Sequence, residues 1–146
     1  MKALRIEHVT VATPDASRAL ASFRQYFSLA EVPVGPLGTG AAGSGVGAGA
    51  AGPGASSGRA AALAVGAARI EFVTPAEGNP LAAVLAAEGE GMAALCLEVA
   101  NLDAALRALQ DAGTRYAIET IAGRRTVQIE PSAAHGVRLA LVEAAP

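Results

Sequence analysis

Apolar and polar residues alternate from residue 4 to 12, in a stretch rich in Val and Thr, as they do along a half-buried strand. Pro14-Asp15-Ala16-Ser17 then supplies helix-start chemistry for a segment running to about Leu29. Glu31 to Val34 is compatible with a short strand. Between 35 and 58 the pattern disappears, because the run is almost entirely Gly, Ala, Ser and Pro, with no large side chain beyond Leu37 and Val46. Such a segment buries little and predicts a flexible loop, either an insertion at a hairpin tip or a lid over a cavity. Periodicity returns at Ala60–Val65 and Arg69–Val73, which predict two strands joined by a tight turn at Gly66-Ala67-Ala68.

Asn79 to Glu88 has the length and stop signals of a short helix ended by Gly89 and Gly91. Alternation resumes over Met92–Val99. Leu102–Ala112 places Leu102, Leu106 and Leu109 on one helical face, with Gly113 as its stop. Three further strands fit Tyr116–Ile121, Arg125–Glu130 and Val137–Val142, separated by Ala122-Gly123 and by Pro131 to Gly136. The opening motif therefore recurs: Ile6-Glu7-His8-Val9-Thr10-Val11, followed by Pro14-Asp15 and a helix, is echoed by Met92–Val99, followed by Asn101-Leu102-Asp103 and a helix. In the second copy the position of His8 is taken by Ala94. Each half follows the order strand, helix, three strands. The expected fold is α+β: two βαβββ modules forming a curled mixed sheet around a shared cleft, with helices outside. One domain spans 1–146, with module one at 1–77 carrying the Gly-rich insert 35–58, a bridge at 78–90 and module two at 91–146.

Composition narrows the function classes. The chain has 146 residues, of which 52% are hydrophobic, enough for one domain with a real core. The formal charge is −2 and the basic residues are scattered, so neither nucleic acid nor an anionic membrane surface is an expected partner. No apolar run approaches the ~20 residues needed to cross a bilayer. Cys96 is the single cysteine and the first residues are strand-like rather than signal-like, which together predict a cytoplasmic location. With no Trp and only five other aromatics, counting two Tyr and three Phe, the core must be built from Ala, Val and Leu.

Four segments carry a resemblance to the vicinal oxygen chelate superfamily of glyoxalases, bleomycin-resistance proteins and extradiol dioxygenases. They are Ile6 to Val11 with Pro14-Asp15, Ile70-Glu71-Phe72-Val73-Thr74-Pro75, the bridge from Asn79-Pro80-Leu81 to Gly89-Glu90-Gly91, and Pro131-Ser132-Ala133-Ala134-His135-Gly136-Val137. Within the superfamily the motifs are most similar to those of methylmalonyl-CoA epimerases. The resemblance implies a divalent metal in the cleft, held by the first and last strands of each module. Those positions correspond here to His8, Glu71, Ala94 and Ala140. Two of the four are methyl groups and cannot donate to a metal, whereas a catalytic metal usually takes about three protein ligands.

Strand parity gives the same faces independently. Leu95, Leu97 and Val99 should meet the helices, leaving Ala94, Cys96 and Glu98 toward the cleft. Arg138, Ala140 and Val142, then Thr126, Gln128 and Glu130, should line it from the neighbouring strands, and Ile6, His8, Thr10, Arg69, Glu71 and Val73 from module one. The expected state of His8 is a hydrogen bond with Glu71. Cys96 is expected as a small buried filler rather than a replacement ligand. His135 should serve its turn, and Arg124 and Arg125 a solvated hairpin, although two arginines can also grip a phosphate or carboxylate. The Gly-rich run has no Lys and no following helix of P-loop type.

These residues predict a protein that binds a small organic ligand in the cleft without a full catalytic metal centre. No cofactor is expected; the alternative is a weakly bound Zn, Mn, Co or Ni on His8 and Glu71. The competing function is an epimerase or a glyoxalase-like isomerase or lyase acting on an acyl-CoA or α-oxo compound, with Glu71 as base and His8 as its partner. There, Arg69 or Arg138 would have to stabilise the enolate. A homodimer is compatible with the family, and an interaction role with a vestigial cleft is the third possibility.

Overall fold

The computed structural model describes residues 1–34, 58–121 and 123–146; the predicted Gly-rich loop, except for Gly58, and Ala122 of the predicted 122–123 turn lie outside them. The elements follow the predicted order: β1 (Ala3–Ala12), α1 (Ala16–Phe27), β2 (Glu31–Val32), β3 (Arg59–Val65), β4 (Ala68–Thr74), α2 (Pro80–Glu88), β5 (Gly91–Val99), α3 (Leu102–Asp111), β6 (Tyr116–Ile121), β7 (Arg124–Ile129) and β8 (Leu139–Glu143). The eight strands form one mixed sheet in the order β2-β3-β4-β1-β5-β8-β7-β6. β8 begins two residues later than its apolar run, because Pro131–Ala134 forms a 3-10 turn and His135 adopts the left-handed conformation that closes it. No helix among the described residues is long and apolar enough to cross a membrane.

Each helix starts on a side-chain cap. Asp15 accepts from the Arg18 N–H at 3.0 Å, Asn79 from the Leu81 N–H at 2.9 Å and Asn101 from the Ala104 N–H at 2.7 Å, satisfying otherwise orphaned donors. The convex face of the sheet carries α1 and α3. Leu20 and Ala16 of α1 pack on Leu63 and Phe72, with Phe23 edge-on to Phe72 at 4.9 Å. Leu102, Ala105 and Leu109 of α3 pack on Val99, Val127, Ile129 and Leu141. Helix α2 is placed differently, with Leu81 against Ala12, Val73 and Ala93. One glycine is required by contact: a Cβ at Gly58, where the chain enters β3, would stand 2.0 Å from the Thr74 carbonyl oxygen.

The centre of the sheet shows how the two modules correspond. β1 and β5 run antiparallel, pairing His8 with Cys96 and Thr10 with Ala94. A two-fold axis between those pairs exchanges His8 with Ala94 and Thr10 with Cys96. The outer neighbours obey the same operation, since Glu71 lies beside Thr10 across the parallel β1–β4 pair and Ala140 beside Cys96 across β5–β8. Two of the three register slips between these strands correspond, and the third, at Leu4 between Ala3↔Val99 and Arg5↔Glu98, lies at the end of the pairing. The register slips at Glu7, between Ile6↔Leu97 and His8↔Cys96, and at its counterpart Ala93, between Thr10↔Ala94 and Val11↔Met92.

The slip at Glu7 corrects the period-two assignment of Ile6. An extra residue in one strand makes two neighbours share a side and reverses the parity beyond them. Ile6 is therefore opposite Leu97, on the convex side, and remains 43% exposed, while Glu7 joins His8 on the concave side.

Candidate functional site

The concave face is a lattice of paired rows. One row crosses the sheet through Arg69, His8, Cys96, Ala140 and Gln128, and the next through Glu71, Thr10 and Ala94. A third contains Arg5, Glu98, Val142 and Thr126. His8, Thr10 and Glu71 have no exposed surface, and Cys96, Ala94, Ala140 and Thr126 are all buried.

The central polar network of Glu7, His8, Arg69 and Glu71 lies on the module-one side. Glu7 and His8 contact each other through one carboxylate oxygen and Nδ1. The other Glu7 oxygen is 2.7 Å from Arg69 Nη2, and the same guanidinium donates to Glu71 Oε1 at 3.2 and 3.3 Å. His8 Nε2 is 3.9 Å from Glu71 Oε2 and makes no hydrogen bond among the described residues. The expected His8–Glu71 hydrogen bond is thus replaced by His8–Glu7, because the bulge carries Glu7 nearer to the ring than β4 carries Glu71. Arg69, instead of reaching into solvent, spans the two carboxylates with its side chain 21% exposed.

Burial opposes the ionisation of Glu7, yet its hydrogen bond and electrostatic contact with His8, together with Arg69, outweigh that and hold its carboxyl below the ordinary carboxylate value. Burial, reinforced by the nearby carboxylates of Glu7 and Glu71, pushes the Cys96 thiol up, so it stays protonated and a poor nucleophile. Thr10 Oγ1 is a second buried polar atom on this face with no hydrogen-bond partner among the described residues.

On the module-two side, Ala94, Cys96, Ala140 and Val142 form an apolar cluster with Ile121. Thr126 and Gln128 face the same side, whereas Glu130 lies beyond the end of β7, exposed, at the start of the 3-10 turn. Arg138, the counterpart of Arg69, is paired with Glu88 of α2 at 2.8 Å, an ion pair that holds the Glu88 carboxyl below its usual value. At the far end Arg5 makes a two-pronged bond to Glu98 at 2.9 and 3.0 Å. Arg124 donates to the Glu143 carbonyl and Arg125 pairs with Asp103, so neither hairpin arginine joins the central group. His135 contributes backbone conformation to its turn. A separate hollow of about 450 Å³, lined by residues including Thr13, Asp15, Arg18, Phe23 and Glu90, includes none of the central residues.

Among these groups, Glu7 is the one that sequence reasoning missed. The available signal was a carboxylate directly preceding the candidate histidine. Strict alternation assigned it to the wrong face, and only the pairing register reveals the extra residue.

The residues at the four expected metal positions do not make up the expected donor set. His8 and Glu71 are present on one side of the two-fold axis, but their counterparts Ala94 and Ala140 offer only methyl groups.

A family model described as the Glyoxalase/Bleomycin resistance protein/Dioxygenase superfamily matches residues 7–129. Comparison with curated protein sequences finds no match. Among solved structures, methylmalonyl-CoA epimerase from Mycobacterium tuberculosis is 29% identical, with a TM-score of 0.74 over 99% of this chain and 90% of that one. A Streptomyces coelicolor methylmalonyl-CoA epimerase in complex with 2-nitronate-propionyl-CoA superposes with a TM-score of 0.76 at 21% identity, covering 99% and 100% of the two chains. A hypothetical protein of Bacillus halodurans C-125 gives 0.75 at 20% identity, covering 97% and 95%. The last two likenesses concern the fold alone.

Proposed function

Since the chain belongs to the glyoxalase/bleomycin resistance/dioxygenase superfamily, we propose that it binds a small organic molecule on the concave face without assembling the superfamily's four-ligand metal centre. The observation that carries this reading is the pair Ala94 and Ala140, two-fold counterparts of His8 and Glu71. Three features support ligand binding itself. His8 Nε2 and Thr10 Oγ1 are buried polar atoms with no protein hydrogen bond among the described residues, and such atoms each cost about 1–3 kcal/mol unless a ligand or water meets them. Arg69 supplies a fixed positive charge beside them. The apolar Ala94–Cys96–Ala140–Val142 patch offers the opposite wall for an acyl or alkyl group. Acyl-CoA thioesters, following the 29%-identical epimerase, and α-oxo compounds are the ligand classes to try. Calorimetric titration of a panel of such compounds should give saturable binding that is unchanged by a strong chelator. Binding that disappears on chelation would overturn the metal-free reading.

The second reading is an isomerase or epimerase, and the contact between Arg69 and Glu71 favours it. In that case Glu71 removes a proton from the carbon next to the carbonyl, and the Arg69 guanidinium balances the negative charge that develops on the oxygen. The two readings separate in deuterium oxide: exchange at the α-carbon of a bound thioester, lost in Glu71→Gln, establishes the enzyme. Binding without exchange leaves the ligand-binding protein.

A further inference from the structure

We infer that Glu7, His8 and Cys96 form a binding site for one thiophilic divalent cation such as Zn²⁺, a donor set that shares only His8 with the four positions expected of the superfamily. This goes beyond the ligand-binding reading, which uses Cys96 only as part of an apolar wall and does not use Glu7.

The site rests on the placement of the three donors. One ligand atom from each residue lies within 4.8 Å of the other two, and all three residues are buried. Tetrahedral Zn²⁺ with nitrogen or oxygen donors near 2.0–2.2 Å and sulfur near 2.3 Å sets its donors roughly 3.3–3.6 Å apart. Closing around an ion therefore needs side-chain adjustments on the order of 1 Å. The backbone already provides the frame, since His8 and Cys96 face one another across the central antiparallel pair and the bulge turns Glu7 to the same side. Those are the most enclosed strands of the sheet, so the frame is rigid.

The orientation of the His8 ring fits ligation through Nδ1, the nitrogen beside Glu7. The imidazole of His8 has no exposed surface, one ring nitrogen contacts Glu7, and the other makes no hydrogen bond among the described residues while lying 3.9 Å from Glu71 Oε2. A histidine that ligates a metal through one nitrogen commonly directs the other toward a carboxylate, which fixes the ring. Glu71 is positioned for that outer role. The donor chemistry then selects the cation. One sulfur, one imidazole nitrogen and one carboxylate oxygen suit Zn²⁺ or Co²⁺ and disfavour Mg²⁺ and Ca²⁺, which prefer all-oxygen surroundings, and Mn²⁺, which is too hard an ion for a thiolate. Three protein donors leave a fourth position for water. Binding replaces the thiol proton with the cation, because a coordinating thiol is deprotonated. The proton leaves to solvent.

Co²⁺ alone, added to the full chain under reducing conditions, is the probe. A single equivalent should develop a near-ultraviolet sulfur-to-cobalt charge-transfer band together with the strong visible bands of a tetrahedral ion, and Zn²⁺ should displace it. Cys96→Ala, a small substitution in a cluster of alanines, should abolish the charge-transfer band with the far-ultraviolet circular dichroism unchanged. Glu71→Gln should keep the band but weaken affinity by roughly 10–100-fold. Absence of the band in the unmodified chain, or its persistence in Cys96→Ala, overturns the site. Weak octahedral spectra alone also overturn it, since they report adventitious binding at surface carboxylates or His135. None of these readouts involves an organic ligand, so the site and the ligand-binding reading can fail separately.

Discussion

Arg69 is the residue on which the buried charges depend. It places one guanidinium against both Glu7 and Glu71, whose side chains are almost entirely enclosed, so removing it leaves two carboxylates in a poorly solvating interior. Arg69→Met keeps much of the volume and should cost about 3 kcal/mol in urea denaturation, by the usual cost of breaking a buried pair. A loss below roughly 1 kcal/mol, the range typical of surface pairs, would show that the network is solvated after all. Glu7 makes a separate prediction about pH. Its carboxyl is held below its ordinary value of 4.5, so the folded state binds its proton less readily than the unfolded state. The resulting stabilisation is complete above that value and is lost as pH falls through the lower, folded value. Glu7→Gln should therefore flatten the acid limb of a stability-against-pH curve and leave its neutral limb parallel to that of the unmodified chain. An acid limb of unchanged steepness would assign the effect to other carboxylates.

At the scale of single elements, an alanine-rich chain concentrates its packing energy in a few large side chains. Helix α3 is an example: Leu102 and Leu109 are its large buried residues, seated on Val99, Val127 and Leu141, while the Asn101 cap satisfies one N–H. Leu102→Ala should cost about 3 kcal/mol and Asn101→Ala about 1 kcal/mol, measured as shifts in denaturation midpoint. Equal losses would mean that the helix is held by its cap rather than its face. This face was visible in the spacing of Leu102, Leu106 and Leu109, as were the strands and turns, because each depends on a local period or on Gly, Pro and Asn placed where the backbone needs them. The bulge at Glu7 was not visible. An inserted residue in β1 leaves no compositional mark, and its consequence is a reversal of facing that only the partner strand reveals. The candidate site was therefore only half legible: His8, Arg69, Glu71 and Cys96 could be placed by parity, while Glu7 and the identity of the His8 partner required the register between β1 and β5.

For the whole molecule, the governing feature is a two-fold relation that the backbone keeps and the side chains have abandoned. Strand order, pairing and the bulges at Glu7 and Ala93 all repeat, but Glu7, His8 and Glu71 are matched by Ala93, Ala94 and Ala140. Even where the residue type is kept, the contact differs, since Arg69 spans two buried carboxylates while Arg138 pairs with Glu88 of α2. If the scaffold still has the superfamily's geometry, restoring two side chains should restore the donor set. Ala94→His combined with Ala140→Glu would place imidazole and carboxylate from module two opposite His8 and Glu71. Both alanines are buried, so the larger side chains should cost about 1–3 kcal/mol each without metal. Mn²⁺ is the appropriate test ion because nitrogen and oxygen donors suit it and the Cys96 thiol does not. The double variant should melt below the unmodified chain in chelator and recover stability in proportion to the logarithm of added Mn²⁺, as ligand linkage requires. Neither single variant nor the unmodified chain should respond in the same concentration range. A double variant that folds but ignores Mn²⁺ would show that the two modules no longer hold the four positions at ligating distance, and that the divergence has reached the backbone geometry of the cleft as well as its side chains.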